Sequence, residues 1–120
     1  MGAYNNPYTD FGRLVTEMWL VIRLIVDTGI HAKSCSEERS SAYFKENSPV
    51  VDGQIRSEVR RYFVLPGQAM ACKIGMLKIL ELREKARTEL GDKFDICGFH
   101  DTVLGDGSVS LSILERRINN

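Results

Sequence analysis

Apolar residues recur at helical spacing over the first quarter of the chain. Between residues 8 and 28 they stand three and four positions apart, as on one face of an α-helix. On this face lie Phe11, Leu14, Val15, Met18, Trp19, Ile22, Ile25 and Val26. Further apolar residues widen it almost to a full circle, so we expect this helix to pack centrally. Pro7 suits its first turn, and Gly29 suits its end.

The middle of the chain predicts two shorter helices. Ser34 and Glu37 have the spacing of a capping box, which starts a helix running to about residue 47 with Tyr43 and Phe44 on its buried side. Pro49 ends this helix, because the residue before a proline is pushed out of the helical region. The next helix begins at residue 52 or 53 and carries the apolar residues Ile55, Val59, Tyr62 and Phe63.

A long helix is predicted over residues 68–90, after the strong break at Pro66-Gly67. Its second part, residues 81–87, is predicted to be a solvated face supported by a pair between Glu81 and Lys85. Gly91 ends it. A short helix follows around residues 95–104, and a turn is predicted at residues 105–107. Ser110 then caps a last helix that ends near residue 118.

The fold class predicted from this pattern is all-α, because no segment shows convincing strand alternation. We expect an irregular bundle of about five to six helices, with one long helix near residues 68–90. A length of 120 residues leaves room for one domain, so residues 1–120 are predicted to form a single helical domain.

Charge and hydropathy count against nucleic-acid and membrane partners. Sixteen Lys and Arg residues balance sixteen Asp and Glu residues, so no global field attracts phosphates or anionic lipid. Residues 1–7 lack the basic start and apolar run of a signal peptide. The most apolar stretch, residues 14–26, is shorter than the roughly 20 residues that span a bilayer and contains Glu17 and Arg23.

The three cysteines predict free thiols. Cys35, Cys72 and Cys97 are too widely spaced for a zinc knuckle, and their odd number forbids full pairing. Free cysteine usually behaves as a small hydrophobic residue. The sequence leaves the compartment open, although a reducing one such as the cytoplasm fits best.

Four polar residues could carry chemistry. Arg23 lies among apolar neighbours and needs a carboxylate, which is either Asp27 one turn later or a group in a cleft completed by another part of the protein. Lys73 lies on the apolar face of the long helix, where its amine either extends to water or faces an anionic group in a pocket. We expect His31 and His100 to be structural, with a functional role kept as the alternative. Neither has a second histidine at metal-ligand spacing.

A series of motifs, in order along the chain, resembles a known family. They include Asn6-Pro7-Tyr8, Phe11-Gly12-Arg13-Leu14, Glu17-Met18-Trp19, Asp27-Thr28-Gly29-Ile30-His31-Ala32, Glu58-Val59, Pro66-Gly67-Gln68-Ala69, Lys73-Ile74-Gly75 and Phe99-His100-Asp101. Together they are similar to the C-terminal segment of the bacterial domain-of-unknown-function 885 family. The resemblance covers essentially all 120 residues.

The resemblance implies a part of a larger enzyme. Members of the family resemble zincin-type metallopeptidases that are several times longer, and their His-Glu metal motif lies upstream of the matched segment. Zinc is therefore expected only in the full-length protein, and no metal or cofactor is expected in this chain. Without a metal to activate water, zincin hydrolysis cannot proceed, so we expect the chain to be inactive alone. Its expected partner is an upstream metal-bearing segment, and a peptide-like substrate is expected only in the complete protein.

The same resemblance implies that this segment forms the substrate side of the cleft. The matching candidate positions are Arg23, His31, Arg61, Tyr62, Gln68 and Lys73. Arginine or lysine would hold a peptide carboxylate, and Tyr62 or His31 would donate a hydrogen bond to the developing oxyanion. The chain departs from the family at its three cysteines, where members usually have Trp, Tyr and Arg. A relict without catalytic duty is therefore an alternative.

A second hypothesis is a non-enzymatic interaction module. The nearly all-round apolar first helix, left in water, would exceed the apolar patch that monomers usually tolerate. On this interpretation the chain self-associates through its exposed apolar surface.

Overall fold

The computed structural model describes residues 5–105 and 107–119, and this part of the chain contains helices and no strand. The helices are α1 (Pro7–Lys33), α2 (Glu37–Asn47), α3 (Asp52–Val64), α4 (Gln68–Leu90), α5 (Ile96–Leu104) and α6 (Leu111–Ile118), with one turn of 3-10 helix at Gly91–Lys93. The all-α prediction is confirmed, including the long helix over residues 68–90.

The chain divides into two compact units, one reaching Lys73 and the other beginning at Ile74. The core of the first unit consists of Ile22, Val26, Ile30, Phe44, Ile55, Val59, Tyr62 and Ala69. Trp19 packs edge-on against Phe44 at its border, with 5.3 Å between ring centroids. The core of the second unit consists of Leu82, Ala86, Phe99 and Leu114. The single domain over residues 1–120 stays a prediction.

The first helix starts as predicted but ends later. Pro7 is its first residue, and the side chain of Asn6 accepts a hydrogen bond from the amide of Tyr8 at 2.8 Å. The predicted end at Gly29 is wrong, since α1 continues to Lys33. Ile30 lies in the core with 6% exposure. Burying this side chain outweighs the helix penalty of about 1 kcal/mol that a glycine carries.

The predicted capping box at Ser34 is also wrong. Ser34 ends α1 in the left-handed conformation, with φ of 53°, and the amide of Cys35 then donates to the carbonyl of Gly29 at 3.0 Å. The N-cap of α2 is Ser36, whose hydroxyl accepts from the amide of Arg39 at 3.3 Å. Because α1 continues to Lys33 and Ser34 ends it, Ser36 is the serine that can begin the next helix.

The prediction of a central first helix is correct only for its C-terminal half. The buried residues of α1 begin at Ile22, whereas Tyr8 and Phe11 are 86% and 62% exposed. Helix α1 has 27 residues and is about 40 Å long, whereas α2 and α3 have 11 and 13 residues and are about 16–20 Å long. The two shorter helices therefore cover only part of α1.

Three smaller predictions need correction. Phe44 is fully buried as predicted, but Tyr43, predicted to lie on the same buried side, is 36% exposed, because consecutive helical residues point about 100° apart. The segment 81–87 was predicted to be solvated throughout, but Leu82 and Ala86 within it are buried. Within it, the predicted Glu81–Lys85 pair is replaced: the ion pairs join Glu81 to Lys78 and Lys85 to Glu89.

The shorter C-terminal helices follow the prediction closely. The side chain of Asp95 caps α5 by accepting from the amides of Cys97 and Gly98. Ser110 is the N-cap residue of α6, although its hydroxyl bonds that of Ser112 and not the helix backbone. The predicted turn at residues 105–107 includes Asp106, which lies outside the described residues.

Within residues 5–105 and 107–119, no single helix is long and apolar enough to cross a bilayer. Helix α3 and the following segment, Gln68–Lys93, pass the same test of length and composition only when the two are taken together across the break between them.

Candidate functional site

Four of the six predicted site residues lie together in the first unit. Arg23 comes from α1, Arg61 and Tyr62 come from the end of α3, and Gln68 is the first residue of α4. The side-chain oxygen of Gln68, Oε1, accepts from Nη1 of Arg61 at 2.7 Å and lies 3.4 Å from Nη2 of Arg23. Two guanidinium groups therefore converge on one amide oxygen.

Glu58 completes this group, and sequence reasoning missed it. Its Oε2 accepts from the hydroxyl of Tyr62 at 2.9 Å and from Nη2 of Arg61 at 2.6 Å. The signal that could have found it is its spacing on a predicted helix, three residues before Arg61 and four before Tyr62. We call Arg23, Glu58, Arg61, Tyr62 and Gln68 the arginine cluster.

The pKa values in the arginine cluster reflect tight pairing. Burial acts to raise the pKa of Glu58, but hydrogen bonds from Arg61 and Tyr62, with the charges of Arg61 and Arg23, outweigh it and lower the pKa. The hydrogen bond to Glu58 raises the pKa of Arg61. Burial, followed by the hydrogen bond to Glu58, raises the pKa of Tyr62 well above its ordinary value. The phenol therefore stays protonated and remains a hydrogen-bond donor at neutral pH.

Both cations also lie close to the aromatic ring of Tyr62. The guanidinium carbons of Arg23 and Arg61 are 5.8 Å and 5.4 Å from its centroid, within the range of a cation–π contact. One atom of the cluster lacks a partner: Nε of Arg23 is buried and makes no hydrogen bond. With two guanidinium groups and one carboxylate, the cluster has one uncompensated positive charge.

Asp27, the structural partner predicted for Arg23, binds a different group. It is buried with 1% exposure, and its oxygens lie 3.1 and 3.2 Å from the amide nitrogen of Gly67, which donates to them. Gly67 immediately precedes α4, where backbone amides have no partner within the helix and a negative charge is favoured. Asp27 therefore ties α1 to the start of α4, and the pair with Arg23 is not formed.

His31 contacts the cluster through the backbone. Its Nε2 lies 2.8 Å from the carbonyl oxygen of Tyr62, and because a carbonyl only accepts, Nε2 carries the proton. This carbonyl is among the last four of α3, which have no partner within the helix. The contact favours the structural interpretation of His31.

Lys73 is buried with 8% exposure, and its amine does not simply extend to water. Its Nζ lies 3.4 Å from Oε1 of Glu17, which is itself 46% exposed. The other carboxylate oxygen of Glu17 accepts from Nη1 of Arg13 at 3.3 Å. Of the two interpretations of Lys73, the structure favours an amine that faces an anionic group, supplied here by this chain.

The three cysteines are free thiols, with Cys35 half-buried and Cys72 and Cys97 exposed. Across the described ranges, no three His, Cys, Asp or Glu residues are grouped so that they could hold a metal ion. Zinc, which the family resemblance implies for the complete protein, does not fit this part of the chain. What the arginine cluster can do chemically is bind an anion, since guanidinium groups match a carboxylate with paired hydrogen bonds.

Comparison with known proteins identifies the class. A family described as "Bacterial protein of unknown function (DUF885)" matches residues 1–118, and the chain belongs to this family. The fold is similar to the crystal structure of "the putative lipoprotein from Colwellia psychrerythraea", with a TM-score of 0.96 and 45% sequence identity. The match covers 98% of this chain and 20% of that chain, so this chain spans about a fifth of that relative's length. A comparison with curated proteins finds no significant match.

Proposed function

We propose that this chain is the C-terminal helical part of a longer DUF885 protein and forms scaffold and substrate-cleft wall of a zinc-metallopeptidase-like enzyme. The metal ligands and the general base would be supplied by an upstream segment, and the chain alone would be inactive. Two findings support this proposal. The chain belongs to the family, and a match that includes 98% of this chain covers only 20% of the relative.

The observation that carries the proposal is the convergence of Arg23 and Arg61 on Gln68. Like charges held close together repel, and Glu58 compensates only one of them. A substrate carboxylate, such as a peptide C-terminus, would supply the second negative charge. It would take the place of the Gln68 oxygen, since both groups are hydrogen-bond acceptors.

The geometry favours Arg23 over the predicted oxyanion donors. The hydroxyl of Tyr62 already donates to Glu58, and Nε2 of His31 already donates to the carbonyl oxygen of Tyr62. Each would have to give up a hydrogen bond before it could serve an oxyanion. Arg23, by contrast, has a buried Nε without a partner. In this proposal Tyr62 positions Glu58, Arg23 contacts the substrate directly, and Arg61 contacts it once the substrate carboxylate has displaced the Gln68 oxygen.

The test is complementation. The purified chain is mixed with the portion of a longer DUF885 protein that carries the metal motif, and hydrolysis of peptides with free C-termini is measured. We expect activity above that of either part alone. No gain over the separate parts would count against the proposal.

The role of Arg23 is tested in the complemented enzyme. Arg23→Met is expected to lower kcat/KM for peptides with a free C-terminus by about tenfold or more, because a hydrogen bond to a charged group contributes about 1.5–3 kcal/mol. The same peptides with an amidated C-terminus should be affected much less. Arg56→Met, at an exposed position on α3, is the matched control and should retain activity. Equal losses on both kinds of peptide would contradict carboxylate binding.

A second candidate function is self-association, favoured by the exposed face of α1. Phe11, Leu14 and Met18 are 62%, 49% and 49% exposed and lie on one side of the helix. Light scattering after size exclusion should then show an oligomer that Phe11→Glu dissociates. Thr9→Glu, on the opposite side of α1, should leave the oligomer intact. A wild-type monomer that binds no hydrophobic dye would contradict this function.

A further inference from the structure

A pocket unrelated to the arginine cluster lies between the C-terminal half of α1 and α2. Its volume is about 290 Å³. The apolar part of its wall consists of Ile25 and Val26 from α1 and Tyr43 from α2. Ile25 and Tyr43 are 41% and 36% exposed, so an apolar ligand would remove their exposed surface from water. Ligand pockets usually have volumes of about 300–1,000 Å³, so this one lies just below the usual range.

The charged residues of the pocket are all basic. Lys33 and Arg39 contribute to its lining, and no acidic residue does. Within the described ranges, neither side chain makes a hydrogen bond or an ion pair, so both charges are available to an anion. The neighbouring pocket between α2 and α3 differs, because two of its three basic residues are paired there and acidic residues line it as well: Arg60 pairs with Glu37 and Lys45 with Asp52.

A buried hydroxyl marks the same pocket. Ser40 is among its lining residues and is 4% exposed, and its Oγ is buried without a hydrogen-bond partner. Buried polar groups in folded proteins almost always have a partner, so the Ser40 hydroxyl has an unused hydrogen-bonding capacity at the wall of this pocket.

We propose that this pocket binds a small apolar monocarboxylate. Its hydrocarbon part would lie against Ile25, Val26 and Tyr43, and its carboxylate would be held by Lys33 and Arg39. The hydroxyl of Ser40 is available as a donor to the same ligand. Hydrogen bonds between a charged donor and a carboxylate are stronger than those between neutral groups, so the two basic side chains favour an anionic ligand over a neutral one. The small volume favours a short chain such as octanoate over a long acyl chain. This site is independent of the proposed cleft.

The first experiment is a titration of the ¹⁵N-labelled chain followed by NMR. Octanoate is expected to cause saturable shifts of the amide signals of Gly29 and Ser40, with a Kd at least tenfold lower than that of octylammonium. The two probes have the same hydrocarbon chain and opposite charges, so the difference reports the basic residues. Absence of saturable shifts at these residues would overturn the proposal, as would equal Kd values for the two probes.

A matched pair of serines locates the site. Ser40 and Ser41 are consecutive on α2, and both have a buried Oγ without a partner, but Ser41 lines the neighbouring pocket. Ser40→Ala is expected to weaken octanoate binding about fivefold, whereas Ser41→Ala should leave the Kd unchanged. Neither change removes a hydrogen bond, so both variants should fold, which circular dichroism checks. An equal effect of the two variants would overturn the assignment.

Charge variants complete the test. Lys33→Gln and Arg39→Gln should each raise the Kd for octanoate and leave that for octylammonium unchanged or lower. Arg56→Gln lies in the neighbouring pocket and is the control. If both pocket variants bound octanoate as the wild type does, the carboxylate would not be held here and the proposal would be wrong.

Discussion

The two compact units bury different kinds of residue. The first unit has eight buried apolar core residues and also buries Asp27, Ser40 and Lys73. The second unit has four buried apolar core residues, and none of its polar residues within the described ranges is buried. A buried polar group costs free energy unless it is paired. Through Asp27 and Lys73, which are paired, the first unit therefore depends on particular polar contacts as well as on packing, whereas the second depends mainly on packing.

The largest expected effect is in the core of the first unit. Phe44→Ala removes a fully buried ring that packs edge-on against Trp19, and we expect the free energy of unfolding to fall by about 3–5 kcal/mol. Urea unfolding followed by circular dichroism measures this loss. Phe63→Ala, at a position that is 40% exposed, is the control and should cost much less. Similar losses for the two variants would show that Phe44 is not a core residue.

A smaller loss is expected in the core of the second unit. Leu82 is fully buried, and Leu82→Ala should cost about 2–4 kcal/mol. Because the core around Leu82 has fewer buried residues, removing this side chain loses fewer packing contacts. The loss in the free energy of unfolding should therefore be smaller than that of Phe44→Ala in the same assay. Leu77→Ala, at a position that is 51% exposed, is the control on the same helix. A larger loss at Leu82 than at Phe44 would reverse the ranking of the two cores.

The polar pairing of the first unit is tested at Asp27. Asp27→Ala leaves the amide of Gly67 without its acceptor, and we expect a loss of about 1–3 kcal/mol in the free energy of unfolding. Asp27→Asn should cost less, because its amide oxygen can still accept. If the two variants were equally destabilised, the charge at the start of α4 would matter more than the hydrogen bond.

The smallest expected effect concerns the pH dependence of stability. The pKa of Glu58 is lowered from 4.5 in the folded state, so its contribution is present above that pH and is lost as the pH falls through the lower folded value. Between about pH 5 and pH 3, unfolding free energy should therefore fall less steeply in Glu58→Gln than in the wild type. Glu46→Gln, at an exposed position on α2, should keep the wild-type slope. Parallel curves for all three proteins would contradict the pairing of Glu58.

The sequence predicts helices well where local signals are strong. The bounds of α4 agree with the prediction because Pro66-Gly67 and Gly91 stand at its two ends. The end of α1 could not be predicted in this way. There the burial of Ile30 overrides the signal of Gly29, and burial depends on helices that are distant in sequence.

In the candidate site, too, some residues could be predicted from the sequence and others could not. The motifs of the family resemblance led to Arg23, Arg61, Tyr62 and Gln68, which lie together. Glu58 was missed because α3 places several basic residues around it, and spacing alone does not show which of them it pairs with. Asp27 and Ser40 were not predicted to be buried, since a carboxylate or a serine in a helix carries no local sign of tertiary burial. Their positions follow from how α1, α2 and α4 pack.

The boundary between the two compact units falls inside an unbroken helix. Helix α4 runs from Gln68 to Leu90, and the division lies between Lys73 and Ile74. Domains are usually joined by exposed linkers, which proteases cut first. Here the peptide bond at the division is protected by helical hydrogen bonds, so limited proteolysis should not release the units as separate fragments. A shortened version carrying one unit would need a new cap at its cut end.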